Sequence, residues 1–260
     1  MRAVVNWLAL LKRYFLVLFI VIITACTQAP VASAPATQQV LTVALPASLE
    51  PFAAGLKSCA ADQPGISLFI DDVNNETSSP SDLNITFGEP ALPTKFSASL
   101  AVEDLVVVLN QANNLTALST GDLRRIYAGQ TTTWEELNTH PGEIQVWDYP
   151  GSDPLHHIFD QSMLNGSPVT GMAYLAPDPS AMLESISSNP EAIGYLPRAW
   201  LSGNKVYPIK LDTNVSTALR LPVLVLADQE PQGALRTFVA CLQTGKGHTI
   251  IMQHYQPVKP

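Results

Sequence analysis

The feature that most constrains the fold is a regular alternation of short apolar runs with stretches of helical periodicity. Residues 40–45, 67–71, 82–87, 105–109, 144–147, 192–196 and 223–226 are short and rich in Val, Ile, Leu and Phe, as strands are. Between them Phe52, Leu56, Cys59 and Ala60 fall on one helical face, as do Leu123, Ile126 and Tyr127, then Leu155, Ile158 and Phe159, then Met182, Leu183 and Ile186. Helix ends are marked as well. Ser119-Thr120 with Asp122 in the first turn forms a start, Gly129 a stop, and Asn189-Pro190 a closure. Pro231 is expected to open a last helix with Leu235, Phe238, Val239 and Leu242 inward. Strands alternating with helices predict an α/β fold with a mostly parallel sheet, and no internal repeat competes with that reading.

The chain begins differently. Its first 25 residues hold Arg2, Lys12 and Arg13, no carboxylate, and an apolar run from Tyr14 to Ile23 ending in Ile23-Thr24-Ala25-Cys26. This pattern resembles a bacterial lipoprotein signal peptide, residues 1–25, with Cys26 as the lipidated mature terminus. The alternative, a retained membrane helix, would place Lys12 and Arg13 near mid-bilayer at about 2.5–3.5 kcal/mol each. Residues 26–39 carry no charge and too little apolar surface to fold, so they read as a tether. The expected location is the extracytoplasmic face of a cell membrane.

Cleavage there changes the charge balance. The whole chain has 14 Lys and Arg against 22 Asp and Glu; without the leader 11 cations face the same 22 carboxylates, a net of −11. No basic cluster follows the leader, which excludes nucleic-acid binding. Cys59 and Cys241 form an even pair in an oxidising compartment with no metal-ligand spacing nearby, so a disulfide worth about 4–5 kcal/mol competes with two buried thiols. No nucleophile elbow, His-Glu-x-x-His or phosphate-cradling glycine loop occurs, and neither enzymatic chemistry nor a cofactor is expected. His156 and His157 are neighbours on one helix and point about 100° apart, so together they cannot chelate one metal, and no metal site is expected.

Four ordered segments carry a further signal. LAVEDLVVVLN at 100–110, LSTGDLRRIYAG at 118–129, TWEEL at 133–137 and SNPEAIGYL at 188–196 together resemble the phosphate-type substrate-binding proteins of ABC importers. The resemblance implies a two-lobe, type II periplasmic-binding-protein-like fold, each lobe a mostly parallel sheet flanked by helices, with ligand in the cleft. Lobe one would be residues 40–99 plus 222–260, and lobe two 100–221. Cys59 and Cys241 would then share lobe one, which favours their pairing.

The resemblance also implies where a ligand would sit. In that family an oxyanion is held by N–H groups at helix starts, by hydroxyls and by an Arg. Ser48 follows the first strand, although it could equally be a simple helix cap. The connection after the second strand, including residues 73–81, is too short and Pro-interrupted for the family's usual helix. Thr86 offers a hydroxyl on the third strand. The largest departure is at Trp147-Asp148-Tyr149-Pro150-Gly151-Ser152-Asp153-Pro154, where the family's Arg is absent and Asp153-Pro154 forms an N-cap and N1 pair. Ser152, His156, His157, Tyr149, Tyr174 and Tyr195 would lie near the cleft mouth, a polar and aromatic set better suited to a neutral or cationic small molecule or a protein partner. Ser48, Thr86, Ser152, Asp153, His156 and Tyr195 are therefore the candidate ligand contacts, for phosphate or another small solute, with an ABC permease as partner. The alternative function is a degenerate domain serving envelope interaction or sensing without transport.

Overall fold

The computed structural model describes residues 38–72, 80–88, 94–201, 203, 206–211 and 219–258. Residues 1–25, expected to be a signal peptide, and Cys26 lie outside them. Among the described residues no helix is long and apolar enough to cross a membrane.

Eleven strands and six α-helices follow one another along these segments, with short 3₁₀ turns and one π-helical turn (Asp160–Leu164) between them. β1 (Gln39–Leu45) leads through a 3₁₀ turn (Ala47–Phe52) into α1 (Ala53–Ala61), and β2 (Ile66–Asp72) and β3 (Leu83–Phe87) follow. The long β4 (Phe96–Asn110) precedes β5 (Ala117–Leu118) and α2 (Thr120–Tyr127). Then come β6 (Gln145–Asp148), α3 (Pro154–Phe159), β7 (Tyr174–Leu175) and α4 (Pro179–Ser188). β8 (Ala192–Pro197), β9 (Val206–Pro208), β10 (Lys210–Leu211) and β11 (Arg220–Ala227) lead to α5 (Gly233–Thr244) and α6 (Lys246–Ile251).

One sheet runs in the order β2-β1-β3-β11-β4-β8-β6-β7, with β9 also on β4. β1 pairs parallel with β2 and β3, and β6 parallel with β7 and β8. Antiparallel β11 and β4 separate these two trios. β4 changes partner midway: residues 96–104 pair with β11 and 105–109 with β8. It is therefore ten residues longer than the expected strand at 105–109, because polar Ser97, Ser99, Glu103 and Asp104 hid its first half.

Local chemistry explains the joints. Ser119 caps α2 by accepting the Asp122 N–H at 3.0 Å, and its own hydroxyl donates to the Asp122 carboxylate. Asn110, at the end of β4, donates to the Ile186 and Ser187 carbonyls that α4 leaves unpaired. A Cβ on Gly194 of β8 would stand 2.5 Å from Met182 Sδ, so α4 packs directly on that strand. On the other side α1, α5 and α6 cluster, and Cys59 of α1 is bonded to Cys241 of α5. A Cβ on Gly247 of α6 would meet Cys59 Sγ at 2.2 Å, which makes glycine obligatory for this approach. α5 begins at Gly233 behind Gln232, two residues later than the Pro231 start expected from sequence.

Candidate functional site

Parallel strands aim their C-terminal ends at a common edge, where open α/β sheets bind ligands. In the first trio these ends are the turn after Leu45, Asp72 and Phe87; in the second they are Asp148, Leu175 and Pro197.

β6 ends in Asp148, which is 3% exposed among wholly buried Tyr127, Tyr149, Phe159 and Tyr195. Phe159 and Tyr195 stack with centroids 3.8 Å apart, and Tyr149 meets Tyr195 edge-on at 5.1 Å. A carboxylate in such surroundings needs every available donor. Asp148 Oδ1 accepts the Tyr149 N–H at 2.8 Å and the Tyr195 hydroxyl at 2.5 Å, and Oδ2 lies 3.0 Å from His156 Nδ1. Burial holds the Tyr195 and Tyr149 hydroxyls well above the usual phenol range, so both remain donors at neutral pH; the charge of Asp148 adds for Tyr195 and that of Asp153 for Tyr149. The Tyr149 hydroxyl donates to the Tyr195 carbonyl at 3.2 Å.

Asp153 occupies the start of α3, accepting the Leu155 N–H at 2.7 Å ahead of Pro154. Burial raises its pKa, opposed by that N–H bond and by His156. The helix start thus spends a donor on its own carboxylate. Two carboxylates, Asp148 and Asp153, thus stand at the C-terminal end of β6 and the start of α3. A unit anion about 4 Å from either would be repelled by about 4 kcal/mol near a protein surface.

The expected contacts are scattered across this geometry. Ser152 is exposed, and Asp153 and His156 are half-buried beside Asp148. His157 is exposed on the outer side of α3. Tyr195 and Tyr149, expected at the mouth, are instead wholly buried, because their rings complete the aromatic core and their hydroxyls are already used. Tyr174 does reach solvent at 50% exposure, stacked on Trp147 with centroids 5.1 Å apart. Ser48 is 9% exposed, and its carbonyl accepts the Trp200 indole N–H at 3.0 Å. Thr86 is half-buried on β3, its hydroxyl 3.5 Å from the neighbouring Phe87 carbonyl. Among the described residues no group of three or more His, Cys, Asp or Glu is arranged to hold a metal ion.

Asp148 and Trp200 were not singled out by sequence. The signal for Asp148 was present, since a carboxylate ending an apolar strand at the position of a missing Arg is unusual. Nothing in the run Arg198-Ala199-Trp200 pointed to Ser48, which is 152 positions away.

No protein-family model matches the chain. A stretch of 114 residues, 44% of the chain, is 25% identical to the phosphate-binding protein PstS of Bacillus subtilis, and the match spans 37% of that protein's length. Among solved structures, a Clostridium perfringens protein assigned as a phosphate ABC transporter substrate-binding protein, with bound phosphate, superposes with a TM-score of 0.74 at 17% identity. An ABC-type phosphate transport receptor from Vibrio cholerae gives 0.64 at 20% identity. Each match covers 85% of this chain and all of the other.

Proposed function

Starting from the two-lobe, type II periplasmic-binding-protein-like fold shared with these proteins, we propose that the chain is a solute-binding lipoprotein that feeds an ABC permease and takes a neutral or cationic solute, not an oxyanion. The observation that carries the change of ligand is the pair Asp148 and Asp153, which consume the Tyr195, Tyr149 and Leu155 donors at the second trio's edge. In this reading residues 40–99 with 222–260 form lobe one and 100–221 lobe two, β4 and β11 being the crossing strands; the partner switch of β4 after Asp104 supports that division. The leader at residues 1–25 and Cys26 support a lipid anchor, which mass spectrometry of the membrane fraction tests: an intact, unmodified Met1 terminus refutes it.

Mass spectrometry of small molecules released from the purified, denatured protein tests the solute class. A neutral or cationic compound is the expected result, and released phosphate contradicts it. The coverage of Ser48 by Trp200 favours a second reading, an envelope interaction or sensory domain without transport. Cross-linking that recovers permease components excludes this second reading.

A further inference from the structure

The sheet order places three strands, β3, β11 and β4, between β1 and β8, yet a turn after β8 touches the turn after β1. Trp200 lies in the 3₁₀ turn Arg198–Leu201, and its indole Nε1–H donates to the Ser48 carbonyl in the turn Ala47–Phe52. The base of the Trp200 turn is fastened to β4. The Ala199 N–H points at Glu103 Oε2 at 3.4 Å, and Arg198 Nε donates to Asp104 Oδ2 at 3.3 Å. Glu103 and Asp104 sit at the point where β4 leaves β11 for β8. Glu103 is 1% exposed and also accepts the Asp104 N–H at 2.8 Å. Gln256 of the C-terminal segment donates to the same Asp104 oxygen as Arg198, and Gln256 in turn receives Arg220 from β11.

Arg198, Ala199 and Trp200 thus span the pivot, anchored at one end to the shared strand and at the other to the first trio. We infer that Trp200 is a built-in latch that holds the two halves together on the pivot side of the cleft before any solute is bound. Indole is a donor without acceptor capacity, and the Ser48 carbonyl is an acceptor, so the bond has one possible sense. The ring adds contact area that only a large side chain supplies. A solute that takes the Ser48 carbonyl must displace the indole, so binding at that oxygen is coupled to opening. The inference goes beyond the proposed function, since the latch acts whether or not the cleft takes a solute.

The test compares full-length wild type with Trp200→Phe, which keeps the ring and loses the donor, and Trp200→Ala, which loses both. Small-angle scattering reads opening, and amide exchange at Ala199 reads release of the turn. Trp200→Phe is expected to raise the open fraction about fivefold, the factor for one neutral hydrogen bond, and Trp200→Ala to raise it further. Ala199 exchange should rise in parallel. Arg198→Ala, altering a side chain 45% exposed, keeps the test usable if Trp200→Ala does not fold, and should open the molecule in the same direction. In wild type the Trp200 indole N–H should exchange at least about fivefold more slowly than free tryptophan. Folded Trp200→Phe with unchanged scattering and unchanged Ala199 exchange overturns the inference, as does a wild-type indole that exchanges at the free rate.

Discussion

The two strand trios are secured by different chemistry. The first is tied covalently: Cys59–Cys241 spans 182 positions and locks α1 to α5 beside the Gly247 crossing. The second has no such bond among the described residues and relies on four buried aromatic rings around Asp148. The difference also shows on the surface. Only residues 73–82 join β2 to β3, and Val40 and Phe69, on one face by register, are 63% and 55% exposed. In the second trio the uncovered side chains, Met172, Tyr174 and Leu175, gather on and before β7 at the sheet edge. The first trio leaves apolar side chains exposed on one face of β1 and β2, whereas the second exposes them at its edge strand and buries Asp148 among aromatic rings.

This contrast ranks the perturbations. Replacing both Cys59 and Cys241 by Ala should lower stability by about 2–5 kcal/mol, read as a lower melting temperature, with increased hydrogen exchange concentrated in α1, α5 and α6. Equal loss of protection in β6 and α3 would show that the halves are not independently secured.

The shared strand supplies the next effect. Burial pushes the Glu103 pKa up to about 8 from 4.5, against the partial relief of the Asp104 and Ala199 N–H groups. An unfolded Glu103 ionises above pH 4.5, while the folded one keeps its proton until about pH 8. The native state therefore binds more protons in that window, and stability falls as pH rises through it, by about 1.4 kcal/mol per unit at most and up to about 4–5 kcal/mol in total. Glu103→Gln should flatten this slope and raise stability at pH 8 by several kcal/mol, with little change at pH 4.5. Chemical denaturation at the two pH values checks it.

Asp148→Asn keeps the shape and removes the charge, and should cost about 1–3 kcal/mol as the Tyr195 hydroxyl and His156 lose a charged acceptor. Loosened aromatic packing should appear as a changed near-ultraviolet circular dichroism of the Tyr residues. The smallest effect is expected at the uncovered sheet: Phe69→Thr should alter stability by no more than about 0.5 kcal/mol and act on solubility instead.

Legibility in the sequence followed the same division. Capped helices were readable because Ser119, Asp153 and Asn189-Pro190 act locally on their own turns. The alternation of strands and helices pointed to the α/β class, and the even cysteine count with an expected oxidising compartment pointed to the disulfide. What remained hidden depends on partners far along the chain. Tyr195 read as a polar mouth residue because its phenol is polar, but its role is set by Asp148, 47 positions away. The Trp200 latch and the Glu103 pivot likewise exist only once β4 and β8 are side by side.

If internal carboxylates have taken over the donors an oxyanion would use, phosphate should not bind. Calorimetric titration of the protein with inorganic phosphate at neutral pH is the sharpest test of this. No binding heat is expected up to about millimolar phosphate, the range in which about 4 kcal/mol of repulsion weakens a micromolar site about a thousandfold. Saturable binding at micromolar phosphate or below would contradict it.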